Sequence, residues 1–125
     1  MPKTKVTIAT DTTEGFFNRL RANARRLDQG EALRPEITIS FEDSADLLKV
    51  LTSERVRLLR SVKGNSLQIS TLAGGLNRDI RAVSRDVTML EKAGLLRTRY
   101  ESNPGHGRLK VVESVAREYK LIANL

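Results

Sequence analysis

The apolar residues between positions 67 and 96 recur at the three- and four-residue spacing of amphipathic helices, in two runs separated by a short polar turn. In the second run, the residues that share the apolar face are Leu76, Ile80, Val83, Val87 and Leu90. At about 100° per residue, the opposite face carries Arg78, Ala82, Arg85, Met89 and Lys92, with Arg81 on its flank. This pattern predicts a short helix, a tight turn and a longer helix with an arginine-rich outer face. Gly74-Gly75 is expected to supply the close approach and backbone freedom that the turn needs.

The residues before this pair of helices predict an N-terminal arm over 1–42, in which a helix lies between two strands. Alternating apolar residues indicate strands at 5–10 and 36–41, and helical spacing indicates a helix over 13–30. Such an arm can cover the domain, pair across a dimer or bind another protein, and the pattern does not choose among these roles. The apolar side chains expected at a dimer surface are Phe16, Phe17, Leu20 and Leu27.

Capping residues set the expected ends of the helices that follow the arm. A short helix over 43–51 precedes a second one over 53–62. Ser66 is the expected N-cap of the third helix, and Asn77 is the expected N-cap of the arginine-rich helix. Gly94 is the expected left-handed stop of that helix.

The residues after Gly94 predict a hairpin and a C-terminal segment. Two alternating segments, 95–101 and 108–113, indicate antiparallel strands joined by a polar stretch with one proline and two glycines. A hairpin that follows such a helix directly forms a wing. The segment 114–125 fits either a strand or a short helix. We expect the strand, because the alternation continues to the last residue, and we expect a dimer contact there.

Composition narrows the partners and excludes several classes of function. The 125 residues suit one hydrophobic core, and the net charge of +7 favours a polyanionic partner. No apolar run approaches the roughly 18 residues of a membrane span, and a membrane surface is disfavoured because the arginine-rich helix hides its apolar face. Without cysteine there is no disulfide or thiolate metal site, and the cytoplasm is the expected compartment. A lone histidine and the lack of a phosphate loop predict no enzyme, no metal site and no cofactor.

The positive charge is concentrated around the helix pair, since residues 67–100 contain six Lys/Arg against three Asp/Glu. The candidate contacts to double-stranded DNA on the longer helix are Arg78, Arg81, Ala82 and Arg85. A guanidinium in the major groove can bond to O6 and N7 of guanine together. The alternatives are a solvated face or salt bridges to Asp79 and Asp86.

Further candidate DNA contacts lie at helix ends and on the wing. Ser66 and the first amides of its helix can hold a phosphate or form a plain cap. Asn77 is a cap that can also meet a phosphate. Arg108 can enter the minor groove or meet a phosphate. His106, the single histidine, is either a contact of the wing tip or a bystander.

The segments LTSERVRLLRSVKG and ISTLAGGLNRDIRAVSRDVTMLEKAGLL, followed by a hairpin, resemble winged helix-turn-helix transcriptional regulators of the broad MarR/ArsR kind. They are most similar to small bacterial and archaeal DNA-binding regulators with the signature L-T-x-x-R-x-x-L-L, then R-D-x-x-x-V-x-x-D-x-x-x-L-E-x-x-G-L. The positions that match it are Leu51, Thr52, Arg55, Leu58, Leu59, Arg78, Asp79, Val83, Asp86, Leu90, Glu91, Gly94 and Leu95. The resemblance implies DNA binding and, because small members are often encoded beside a toxin, an antitoxin role as an alternative. Metal-sensing relatives use cysteines, which this chain lacks.

Pattern and resemblance together predict an α+β protein, mainly α. We expect a winged helix-turn-helix over 43–113, the arm over 1–42 and a C-terminal segment over 114–125. The expected function is sequence-specific binding of double-stranded DNA by a homodimeric transcriptional regulator, a repressor or autoregulator, because one winged helix contacts only a half-site. The alternative is an interaction module that binds a toxin protein through the arm, with DNA binding secondary.

Overall fold

A computed structural model describes residues 5–10, 13–30, 36–41, 43–105 and 107–122. The helices are α1 (Thr13–Asp28), α2 (Ser44–Val50), α3 (Ser53–Val62), α4 (Ile69–Leu76) and α5 (Ile80–Lys92). The strands are β1 (Lys5–Thr10), β2 (Glu36–Phe41), β3 (Ser66–Gln68), β4 (Leu96–Asn103), β5 (Gly107–Ser114) and β6 (Glu118–Ile122). The elements of the predicted arm, the predicted helices and the hairpin are therefore present, and β3 is an element that the apolar pattern did not predict.

The two ends of the described chain meet in a parallel sheet with the strand order β2-β1-β6. Ile8 of β1 lies opposite Ile39 on one side and Leu121 on the other. Residues 6–10 are buried without alternation, as expected for a central strand that is covered on both faces. Of the two conformations left open for the C-terminal segment, the structure has the strand, whereas residues 123–125 lie outside the described part.

The second sheet is antiparallel, with the order β3-β5-β4, and contains the predicted hairpin. Ser66, predicted to cap a helix, instead begins β3 and pairs with β5. Gln68 is the N-cap of α4, and its side chain makes no capping hydrogen bond. The prediction for Ser66 is wrong because Leu67 pairs with Val112, and pairing with a distant strand leaves no mark in local helical spacing.

The turn between α4 and α5 consists of Asn77, Arg78 and Asp79. Asn77 has a left-handed backbone, with φ 52°, and ends α4. The amide of Arg78 donates to the carbonyl of Ala73 at 3.1 Å, which closes the helix end in the way that a left-handed residue allows. Asp79 is the N-cap of α5, and its carboxylate accepts a hydrogen bond from the amide of Arg81 at 2.9 Å. Asn77 is therefore not the N-cap of α5, as predicted, because it completes the preceding helix.

The glycines near this turn have different roles. Gly94 has a φ of +83° after α5, and the amide of Leu95 donates to the carbonyl of Leu90 at 2.9 Å, which confirms the predicted stop. Gly74 and Gly75 lie inside α4, where an added Cβ would meet nothing within 4 Å. The turn therefore does not use the backbone freedom of this pair, contrary to the prediction.

Alanine at Gly94 and at Gly74 should shift stability in opposite directions. Gly94→Ala places a side chain in the left-handed region, which should lower the free energy of unfolding by about 1–2 kcal/mol. Gly74→Ala removes backbone freedom from the unfolded chain and fits into open space, so it should raise that free energy by about 0.5–1 kcal/mol. Urea unfolding followed by circular dichroism measures both. A Gly74→Ala variant that is less stable than the parent would contradict this assignment of roles.

One hydrophobic core joins the helices to the parallel sheet. Its fully buried members from β1 and α5 include Val6, Ile8, Val83, Val87 and Leu90. Ile80, which the apolar pattern placed on the same face, is 44% exposed. It is the first residue of α5, and because helical side chains lean toward the N-terminus, its side chain extends past the end of the helix.

The order α3, α4, α5 and hairpin confirms the predicted α+β fold class, a winged helix-turn-helix preceded by a strand–helix–strand segment. The boundaries predicted for the domain and its arm stay a prediction. Within the described ranges, none of the helices has both the length and the apolar character required to cross a bilayer.

Candidate nucleic-acid interface

The outer face of α5 presents two arginines that have no partner within the described part of the protein. Arg81 and Arg85 are exposed and lie about one helical turn apart. Neither side chain forms a hydrogen bond or ion pair with a described residue. Ala82 lies beside them and is half-buried, so it adds no bulk to the surface. Two free guanidinium groups on adjacent turns can bond bidentately to guanine edges or to phosphates.

A broad depression of about 440 Å³ continues this face toward α3. Its described lining consists of Arg55, Ser84, Arg85, Thr88 and Met89. The exposed surface of this depression is largely apolar, and Arg55 is already bonded to Asp86, so Arg85 is the cation in the described lining that stays available to a phosphate.

Arg78 does not belong to the outward row that the sequence predicted. It precedes the first residue of α5, so the helical period does not set its direction. Its Nη1 lies 2.7 Å from Oδ2 of Asp86, and its Nε lies 3.5 Å from Oε2 of Glu54. The side chain is 21% exposed. The salt bridge to Asp86 was the alternative interpretation of this arginine, and the structure has that salt bridge.

Asp86 connects α5 to the helices behind it. Its Oδ1 accepts a hydrogen bond from Nε of Arg55 at 3.1 Å, and its side chain is 13% exposed. Nη1 of Arg55 also donates to the carbonyls of Lys49 and Val50, at 2.9 and 3.1 Å, where α2 ends. Charged groups in such sheltered positions require partners. We call Arg55, Arg78 and Asp86 the Asp86 network, and it holds α5 in place against α2 and α3.

Sequence reasoning did not assign this network, although the spacing contains a signal for it. Arg55 stands three residues before Leu58 and therefore shares the buried face of α3. Asp86 stands three residues after Val83 and shares the buried face of α5. Opposite charges on two apolar faces that belong to one core indicate an ion pair between the helices.

The hairpin carries a second basic group. The Cζ atom of Arg108 lies 4.6 Å from the ring centroid of Tyr100, in a cation–π contact that orients this exposed guanidinium. Arg99 on the same hairpin is hydrogen-bonded to Glu101 and Glu113, and these bonds raise the pKa of Arg99. The charge of Arg99 is therefore balanced within the protein, whereas none of the described residues accepts a hydrogen bond from the guanidinium of Arg108.

The remaining candidates belong to other elements than α5. Ser66 is exposed on β3, and Asn77 is exposed at the end of α4. His106 lies outside the described residues. The structure thus brings Arg81, Ala82 and Arg85 together on one helical face, and contacts of all these residues with DNA stay predictions.

The arrangement of α3, α4, α5 and the β4–β5 hairpin defines a winged helix-turn-helix protein. Within that class, the chain belongs to the family described as HVO_A0114, whose model matches residues 50–119. No curated protein sequence matches the chain. The resemblance to the MarR/ArsR kind stays a prediction.

Several solved structures are similar to this chain. A possible transcriptional regulator from Methanosarcina mazei Go1 has a TM-score of 0.51 and 17% identity, over 62% of this chain and 68% of its own. Reduced HlyU from Vibrio cholerae N16961 has a TM-score of 0.47 and 18% identity, over 78% and 80%. The homodimeric winged helix-turn-helix DNA-binding domain of Mb0332 from Mycobacterium bovis has a TM-score of 0.44 and 14% identity, over 61% and 73%. The similarity to the Methanosarcina mazei protein shows a shared fold.

Proposed function

We propose that the protein is a transcriptional regulator, a repressor or autoregulator, that binds double-stranded DNA in a sequence-specific manner. The observation that carries the proposal is that the guanidinium groups of Arg81 and Arg85, on the first turns of α5, have no partner among the described residues. In helix-turn-helix proteins this second helix enters the major groove. A bidentate bond from arginine to guanine is the commonest specific contact there. The net charge of +7 adds binding energy through the release of counterions from DNA.

A merely solvated outer face explains the charge pattern less well. Two exposed arginines elsewhere have carboxylate partners, since Arg57 lies 3.8 Å from Glu54 and Arg99 is bonded to two glutamates, whereas the exposed Arg60 has none among the described residues. On α5, by contrast, Asp86 is turned inward and Asp79 caps the helix. The acidic residues nearest in sequence to Arg81 and Arg85 therefore already have other partners. Phosphate groups are suited to balance the positive charge that remains.

We further propose that the protein acts as a homodimer. One winged helix reads a half-site, and a two-fold dimer reads two half-sites that lie about 34–36 Å apart. Phe17 and Leu20 of α1 are 50% and 48% exposed, which supports α1 as a contact between subunits. The side chains of Phe16 and Leu27, also predicted there, lie outside the described part. Nothing among the described residues favours a toxin partner over DNA.

Selection of bound fragments from random duplex DNA tests this function. We expect an enriched palindromic motif with a guanine in each half-site, and an affinity that falls steeply with salt. As a control, about five base pairs inserted between the half-sites should weaken binding, because half a helical turn puts them on opposite faces of the duplex. Equal affinity for every duplex would contradict sequence-specific regulation.

A further inference from the structure

A cleft of about 230 Å³ lies between α3 and the paired strands β1 and β6. Its apolar lining consists of Ile8, Leu51, Val56, Leu59, Tyr119 and Leu121. Ile8 and Leu121 are register partners, and Tyr119 precedes Leu121 by two residues, so these side chains share one face of the sheet. The volume is somewhat below the range of about 300–1,000 Å³ that is usual for drug-sized ligands. The cleft therefore suits a smaller molecule.

The charged residues in the described lining of this cleft are both cations, Arg60 and Lys63. They are exposed at the C-terminal end of α3, and neither side chain forms a hydrogen bond or ion pair with a described residue. The helix dipole favours cations at this end of α3, but it does not require that they border an apolar cleft. Ligand sites combine a largely apolar wall with a few polar groups that orient the ligand. This cleft is complementary to a molecule with an apolar body and an anionic head.

Tyr119 connects the cleft to the end of α5. Its ring lines the cleft, and its hydroxyl donates to the carbonyl of Leu95 at 2.6 Å and accepts from the amide of Val115 at 3.2 Å. Leu95 directly follows Gly94, the left-handed residue beyond α5. Burial raises the pKa of Tyr119, so the phenol remains a neutral donor near neutral pH. A ligand that moves the ring therefore disturbs an anchor of the arginine-rich helix.

We propose that this cleft binds a small amphipathic monocarboxylate and that its occupancy changes the affinity of α5 for DNA. The carboxylate lies between Arg60 and Lys63, and the apolar body contacts Tyr119 and Leu121. The binding half of the proposal is independent of DNA. The regulatory half rests on the proposed DNA-binding function.

Octanoate is the probe for the binding half, used with the full chain. Isothermal titration calorimetry should show saturable binding, and nuclear magnetic resonance should show shifts of the methyl groups of Ile8, Val56 and Leu121. Octanol has the same tail without the carboxylate, and it should bind at least about fivefold more weakly if each cation contributes as an exposed ion pair does. Absence of saturable octanoate binding, or shifts confined to methyl groups of elements outside the described lining, such as Leu20 of α1, would overturn the site.

Charge-neutralising variants test the role of the two cations. Arg60→Gln with Lys63→Gln should weaken octanoate binding about tenfold. Lys49→Gln with Arg117→Gln is the matched control, because it removes the same charge from exposed residues outside the described lining. It should leave the affinity for octanoate unchanged. Equal losses in the two double variants would assign the effect to net charge and overturn the proposed contact.

Leu121→Trp tests the cleft itself, since it fills the space without removing a cation. The side chain is 49% exposed, so we expect the variant to fold, and its melting temperature verifies this. Octanoate binding should then be lost. A different outcome would be that the parent protein is dimeric and binds no octanoate, and that the Leu121→Trp variant is monomeric. This outcome would show that a second copy of the chain occupies the cleft, and it would overturn the proposal.

DNA titrations with and without saturating octanoate test the regulatory half. We expect the Kd for the selected fragment to change at least about fivefold, and by reciprocity DNA should change the affinity for octanoate by the same factor. The change should vanish in the Leu121→Trp variant. Octanoate bound in the cleft with unchanged DNA affinity would overturn the coupling and leave the DNA function standing. Failure to bind DNA under any condition would overturn the proposed function and the coupling with it, while the octanoate titration would still decide the binding half.

Discussion

Replacing Arg81 and Arg85 together by alanine should weaken binding to the selected DNA fragment by at least about 30-fold. Each bidentate contact between guanidinium and guanine contributes about 1–3 kcal/mol. Two such contacts contribute about 2 kcal/mol or more, which corresponds to roughly 30-fold in Kd. The free energy of unfolding should change by less than about 0.5 kcal/mol, because both side chains are exposed and have no described partner. Gel-shift titration and urea unfolding measure the two quantities.

The matched control removes the same charge from other helices. Lys49→Ala with Arg60→Ala lowers the net charge equally, but these residues are exposed on α2 and α3, and neither side chain has a described partner. This variant should lose far less affinity. Equal losses would show that net charge, rather than α5, dominates binding, and an unchanged affinity of the α5 variant would exclude its outer face as the DNA contact.

Single variants then distinguish base contacts from phosphate contacts. Loss of a base contact relaxes the sequence preference at one position, whereas loss of a phosphate contact lowers the salt slope by about one.

Replacing Asp86 by alanine should lower the free energy of unfolding by about 3–5 kcal/mol, the usual cost of removing one partner from a buried ion pair. The guanidinium groups of Arg55 and Arg78 would keep their sheltered positions, at 17% and 21% exposure, without the carboxylate that joins them. Domains of this size have total stabilities of about 5–15 kcal/mol, so the loss is a large share. Urea denaturation of the two proteins measures the difference.

Glu54→Ala is the control for the effect of burial. Its carboxylate is 51% exposed and lies 3.5 Å from Nε of Arg78, so its removal should cost no more than about 1 kcal/mol. Asp86→Asn keeps the shape of the side chain and removes its charge, and its cost should lie between those of the two alanine variants. Similar costs for Asp86→Ala and Glu54→Ala would contradict the view that the Asp86 network holds α5 in place.

The outer face of α5 shows which side-chain directions helical periodicity predicts correctly and which it does not. It correctly placed Arg81 and Arg85 on the outside and Val83 inside, with Ala82 half-buried between them, because each side chain direction follows from its position in one continuous helix. The same rule failed for Arg78, which precedes the helix. The period applies only where the helix exists, and the left-handed Asn77 ends one helix before the next begins.

The errors at Ser66 and Asn77 have a common cause. Both residue types are suited to helix N-caps, but β5 draws Ser66 into a strand, and α4 uses Asn77 to close its own end. The preference of such residues for N-cap positions is worth less than about 2 kcal/mol. Strand pairing or the closure of a preceding helix therefore overrides it. The Asp86 network was missed for a related reason, since the contact between Asp86 and Arg55 joins residues 31 positions apart.

By itself, the sequence determined the succession of strands and helices apart from β3, the hairpin after α5, the glycine stop at Gly94 and the arginine-rich outer face, because each of these follows from the order of neighbouring residues. Only the tertiary structure decided that the two ends of the described chain pair in one parallel sheet, that Arg78 turns inward to Asp86, and that α3 and β6 enclose a cleft with cations at its rim. These features arise where elements distant in sequence meet, and their energies depend on burial and partners that no local pattern contains.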